Sequence, residues 1–164
     1  MNINIENKSW YEKKKIIQEL AKQNSKEEID HTIDSLIEIL KNDEEEQIRK
    51  DIITIFSKFD NVNGKIIDTL IDILLHDKSE LVRKWSSIAI GEISPTAHKA
   101  IPSLIEALRN DESNTVKKNA IFALGKIGKD AKEAIPALKE FRDENDSWWV
   151  NSIIESTLIK IESP

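Results

Sequence analysis

The sequence contains no cysteine, which excludes disulfides, thiolate metal sites and thiol nucleophiles and fits a reducing compartment. Glycine and proline are scarce, four of each in 164 residues. That is too few for the turns of a β-sandwich or barrel. No stretch approaches the ~18 consecutive apolar residues of a membrane span, and the opening Met1 to Lys8 segment lacks an apolar signal core. A soluble, cytoplasmic protein without a membrane partner is the expectation. Basic residues are in the minority, 24 against 30 acidic, for a net charge of −6. Phosphate neutralisation needs a basic footprint, so nucleic acid is not an expected partner. Histidines are few as well. His31, His76 and His98 have no Glu beside them and no i, i+3 or i+4 spacing, so no helix face presents paired metal ligands.

What is present is a repeat. Ile48-Arg49-Lys50, Val82-Arg83-Lys84, Val116-Lys117-Lys118 and Val150-Asn151-Ser152 are spaced by 34 residues. Leu36, Leu70, Leu104 and Leu138 keep the same step, as do Ile33, Ile67, Ile101 and Ile135. So do Pro102 with Pro136, and Gly91 with Gly125. Within each copy the apolar spacing is helical, Ile67, Leu70, Ile71 and Leu74 forming an i, i+3, i+4, i+7 stripe. Polar turns such as Asn110 to Asn114 divide each copy into two helices. The pattern predicts helix pairs at 30–42 with 46–60, 64–76 with 80–94, 98–110 with 114–128, and 132–143 with 147–161. Pro102 and Pro136 fall in first helical turns, where a missing N–H costs little. Gly128 fits a helix C-cap, and Gly125 leaves room for a neighbouring helix. A further helix near 9–23 (Trp10, Ile16, Ile17, Leu20) lacks the repeat signature and is expected to cap the first hairpin. The domain division is therefore a tail and capping helix over 1–29 and an array over 30–164, with repeats 30–63, 64–97, 98–131 and 132–164; residues 1–7 are expected to be loose.

Ala100, Ile101, Pro102, Leu104, Ile105, Leu108 and Asp111, then Val116, Lys117, Ala120, Ala123, Leu124, Gly125, Ile127 and Gly128, resemble the HEAT superfamily. They are most similar to the short phycobilisome-lyase HEAT-like type. The resemblance covers roughly residues 30–161 and implies an all-α, right-handed α-solenoid of about four hairpins with an N-terminal capping helix. It also implies a ladder of turn Asp and second-helix Arg side chains bridging adjacent repeats. The matching residues are Asp43 with Arg49, Asp77 with Arg83, and Asp111 with Lys117; Asn145 and Asn151, both uncharged, occupy the positions in the last repeat and read as the end of the ladder.

The resemblance spans several activities, and fold alone selects none of them. Deoxyhypusine-hydroxylase-like members build a di-iron site from His-Glu pairs, which this sequence lacks. HEAT-like DNA glycosylases use a catalytic Asp with aromatics and basic residues, and those positions do not map onto this chain. A subunit of a bilin lyase or isomerase is the main alternative. Gly125-Lys126-Ile127-Gly128 lacks phosphate-loop spacing, and the Asp43 to Glu46 run lacks calcium-loop alternation. The reading is a non-enzymatic scaffold without catalytic residues, metal or cofactor, a monomer or weak homodimer.

In HEAT solenoids the second helices line the concave face. Taken as 47–60, 81–94, 115–128 and 149–161, they hold nine basic and four acidic residues. The first helices with their turns net −11. The expected partner-binding set is Lys50, Lys84, Trp85, Ile88, Lys118, Phe122 and Lys126, suited to an acidic or amphipathic protein or peptide. From sequence, Trp85, Ile88 and Phe122 form either an exposed patch or inter-repeat core. Trp148-Trp149 forms either a terminal cap or an interface.

Overall fold

The computed structural model describes residues 8–20, 26–59, 63–93 and 96–163. The expected loose segment 1–7 lies outside the described residues. Among them the chain forms α1 (Trp10–Leu20), α2 (Lys26–Asn42), α3 (Glu46–Phe56), α4 (Gly64–His76) and α5 (Glu80–Glu92). A 3₁₀ segment (Thr96–Ala100) then leads into α6 (Ile101–Asn110) and α7 (Asn114–Ile127). A second 3₁₀ segment (Gly128–Ala134) leads into α8 (Ile135–Asp143) and α9 (Trp148–Glu162).

Two layers result. The first helices α2, α4, α6 and α8 stack in order, the second helices α3, α5, α7 and α9 stack beside them, and α1 packs on α3 at the head of the second layer. This is an all-α solenoid of helical hairpins. The 34-residue step places the same side chains in the same niche of each layer. Leu36, Leu70, Leu104 and Leu138 are fully buried, as are Ile48, Val82 and Val116. Each such leucine removed from water contributes about 1.5–3 kcal/mol. Polar atoms inside the stack find partners: the buried Ser86 hydroxyl donates to Leu70 O at 2.5 Å.

Helix boundaries depart from the sequence pattern where proline and turn chemistry intervene. Helices expected from 98 and 132 begin at Ile101 and Ile135 instead, each after a 3₁₀ segment and each with proline in its first turn. Proline offers no N–H to the preceding turn and its ring crowds that carbonyl, so the α-helix cannot extend further back. The helix expected to reach 60 stops at Phe56, where the Ser57 hydroxyl bonds Thr54 O and Phe59 folds back onto the Phe56 ring. At the other end, α2 begins at Lys26, before the expected start at 30.

Glycine matters at two positions. A Cβ on Gly91 would lie 3.0 Å from Ala123 Cα, and one on Gly125 would lie 3.1 Å from Thr157 Oγ1, so this shared site sets how closely successive second helices approach. Gly128, at φ 71°, closes α7 in a conformation that side chains resist.

Candidate functional site

The turn joining the two helices of each hairpin is built the same way four times. An Asp or Asn side chain accepts from the backbone N–H two residues on: Asp43 from Glu45 (2.9 Å), Asp77 from Ser79 (2.8 Å), Asp111 from Ser113 (2.8 Å) and Asn145 from Ser147 (3.0 Å). This local bond fixes the turn and, in Asp77 and Asp111, holds the carboxylate toward the preceding repeat.

That carboxylate meets an arginine from the preceding repeat. Arg49 donates Nε and Nη2 to Asp77 at 2.8 Å each, and Arg83 donates the same pair to Asp111 at 2.7 and 3.0 Å. The remaining Nη1 turns back to its own hairpin, Arg49 to Asp43 O and Arg83 to Asp77 O. All four side chains are buried. Bidentate geometry and the extra carbonyl bond satisfy groups that would otherwise be stranded from water. The Asp111 hydrogen bond holds the Arg83 guanidinium more firmly protonated than usual, against the opposing effect of burial.

The ladder extends further toward the N-terminus than the sequence indicated. Lys13 of α1, also buried, places its ammonium 2.8 Å from Asp43 and 3.2 Å from Glu45. The Asp43 hydrogen bond raises its pKa above the ordinary lysine value. Lys13 precedes its carboxylate by 30 residues where each arginine precedes its own by 28. A search at the strict repeat step therefore passes over it; a buried-position lysine in α1 was the available signal.

Toward the C-terminus the ladder breaks earlier than expected. Lys117 makes no rung with Asn145, because neither a fork of donors nor a carboxylate is present. Its ammonium reaches Arg109 O at 3.4 Å and lies 5.7 Å from the Phe141 ring centre. Asn151 keeps only the inward half of the arginine's role, donating to Asn145 O at 2.9 Å.

The second-helix layer carries a different set of side chains. Lys50 and Lys84, one repeat apart, both lie over the Trp85 ring, at 5.2 and 5.5 Å from its centre. Lys118 lies over Trp149 at 4.0 Å. Lys50 also approaches Asp51 at 3.7 Å, whereas among the described residues Lys84 and Lys118 meet aromatic faces and no carboxylate. Trp85 is half-buried against the core, Ile88 is half-buried, and Phe122 is 48% exposed. Lys126 is exposed on the same helix as Phe122. The sequence alternatives therefore divide by residue: Trp85 leans on the core, while Phe122, at the position of Ile88 one repeat on, faces solvent. At the start of α9, Trp148 is 81% exposed and Trp149 39%.

With this geometry in place, the family model for HEAT repeats matches residues 67–159, more than half of the chain. The chain belongs to the HEAT-repeat family. The match runs from α4 to α9 of the HEAT array, with the first hairpin and α1 outside it. No curated protein matches the sequence. Among the described residues of this HEAT protein, no group of three His, Cys, Asp or Glu side chains could hold a metal ion, and no helix is long and apolar enough to cross a membrane.

Proposed function

We propose that this HEAT protein is a non-enzymatic, cytoplasmic scaffold that binds an acidic or amphipathic protein segment along its second-helix layer. The single observation behind this reading is the pairing of unneutralised ammonium groups with partly exposed aromatic rings on successive repeats: Lys84 with Trp85, and Lys118 with Trp149, with Phe122 exposed on the helix between them. An acidic segment supplies the missing counter-charges, and its apolar residues cover Phe122. The charge division supports it, since the second helices carry a basic excess in an acidic chain.

The test is affinity capture from source cells using the wild type and Lys84→Glu with Phe122→Ala, both checked for unchanged helical content. A protein captured by the wild type and lost from the variant supports the reading; the same captured set with both refutes it. The finer likeness to phycobilisome-lyase repeats, carried by Ala100, Ile101, Pro102 and Leu104, would make the chain a lyase subunit. Mixing with a bilin, with and without an apo-phycobiliprotein, separates that reading: no shift of the visible band removes it.

A further inference from the structure

Two departures from the repeat pattern and two bulky aromatic side chains fall in one place. In the third and fourth repeats Asn145 replaces the turn aspartate and Lys117 replaces the ladder arginine. Phe141 stands where Ala107 is buried, and Trp149 where α7 has Thr115. Where the rung is missing, a surface pocket of about 180 Å³ opens between α7, α8 and the start of α9. Phe141 and Trp149 line it, together with the polar Asn114, Lys118, Asn145 and Ser147.

The polar groups there are mostly donors. Asn145 spends its carbonyl oxygens locally, Oδ1 on Ser147 N–H and its backbone O on Asn151, leaving Nδ2 without a protein partner among the described residues. The Ser147 hydroxyl is likewise uncommitted, unlike Ser113, which accepts from Thr115 N–H. Lys118 supplies a full positive charge held at the pocket by the Trp149 ring. In the two complete rungs the equivalent space holds a carboxylate already bonded to arginine, so an incoming anion would meet a negative group. Replacing that carboxylate by an amide removes the repulsion and turns an acceptor into a donor. Glu144 and Asp146, neighbours in sequence, do not line the pocket.

We propose that this pocket receives a carboxylate and the adjoining apolar side chain of an acidic peptide partner. Lys118 provides the counter-charge, Asn145 and Ser147 donate hydrogen bonds, and Phe141 and Trp149 enclose the apolar group. This rests on the peptide-binding reading above and specifies where one acidic residue of the partner is read.

The test uses the full chain and a pair of capped hexapeptides, one containing Glu-Phe and one with Gln-Phe in its place, followed by NMR of the tryptophan indole and asparagine amide groups. At about 10 mM peptide, enough to see contacts of millimolar affinity, the Glu peptide should move the Trp149 indole and Asn145 amide signals. The Gln peptide should not. Lys118→Met should weaken the response about fivefold, as expected for one partly exposed charge contact. Asn145→Asp keeps the acceptor for Ser147 N–H, so the turn stays formed, and should abolish the response. Equal response to both peptides, no response to either at Trp149, or wild-type response in both variants overturns the proposal. Movement of the Trp85 indole alone would overturn the pocket assignment while leaving the scaffold reading in place.

Discussion

Replacing Asp111 by Asn isolates the charge in the rung between the second and third repeats. Asparagine still accepts from Ser113 N–H, as Asn145 does from Ser147 at 3.0 Å, so the turn is preserved. What is lost is the bidentate anion facing Arg83, whose side chain is 8% exposed. Removing one member of a buried ion pair strands the other, typically at about 3–5 kcal/mol. Here Arg83 keeps its bond to Asp77 O at 2.9 Å, and the exposed Glu112 lies 3.5 Å from its Nη2. These partial replacements bring the expected loss down to about 2–3 kcal/mol. For a chain of this size that lowers Tm by roughly 5–10 °C. Thermal and urea unfolding of the single variants and of the double replacement Arg83→Met with Asp111→Leu form the assay. The apolar pair leaves no arginine stranded but also removes the acceptor for Ser113 N–H, so it should recover part of the loss and not all of it. A loss below about 0.5 kcal/mol for Asp111→Asn, or an equal loss in an Arg83→Met background, would refute the assigned coupling.

Three further outcomes follow from the same geometry. Gly91→Ala pushes a Cβ to 3.0 Å from the Ala123 backbone, whereas Gly64→Ala meets nothing within 4 Å; the first should destabilise by about 1–3 kcal/mol and the second by none, in parallel urea titrations. The raised pKa of Lys13 means its contribution is complete below the unfolded lysine value of about 10.4 and is lost as pH rises through the higher folded value. The stability gap between wild type and Lys13→Met should therefore close in alkaline urea titrations, and a gap unchanged across that window would contradict the α1 rung. Lys117→Arg combined with Asn145→Asp supplies the fork and carboxylate absent from the third rung; the double variant should melt above the sum of the singles, a coupling of about 1 kcal/mol, and strict additivity would argue against a common rung geometry.

Much of the fold was legible because its core repeats. Leu36, Leu70, Leu104 and Leu138 occupy one niche each, so a fixed step in sequence maps onto a fixed translation in space. The Asp–Arg positions were legible for the same reason, and the bidentate bonds run between adjacent repeats. Features that break translation were not legible. Lys13 sits on a helix outside the repeat register, and Lys117 has a different donor geometry from the arginine it replaces. The face of Trp85 and Phe122 stayed ambiguous because they lie at the margin of the buried stripe. Small rotations there decide between half-buried and exposed, and sequence periodicity does not resolve them.

Recognition is proposed to use the second-helix layer. Hydrogen exchange of the free chain and of its complex with the captured partner tests it directly. Added protection is expected in α5 and α7, over 80–92 and 114–127, with α4 and α6 unchanged. Protection confined to α4 and α6 would contradict it.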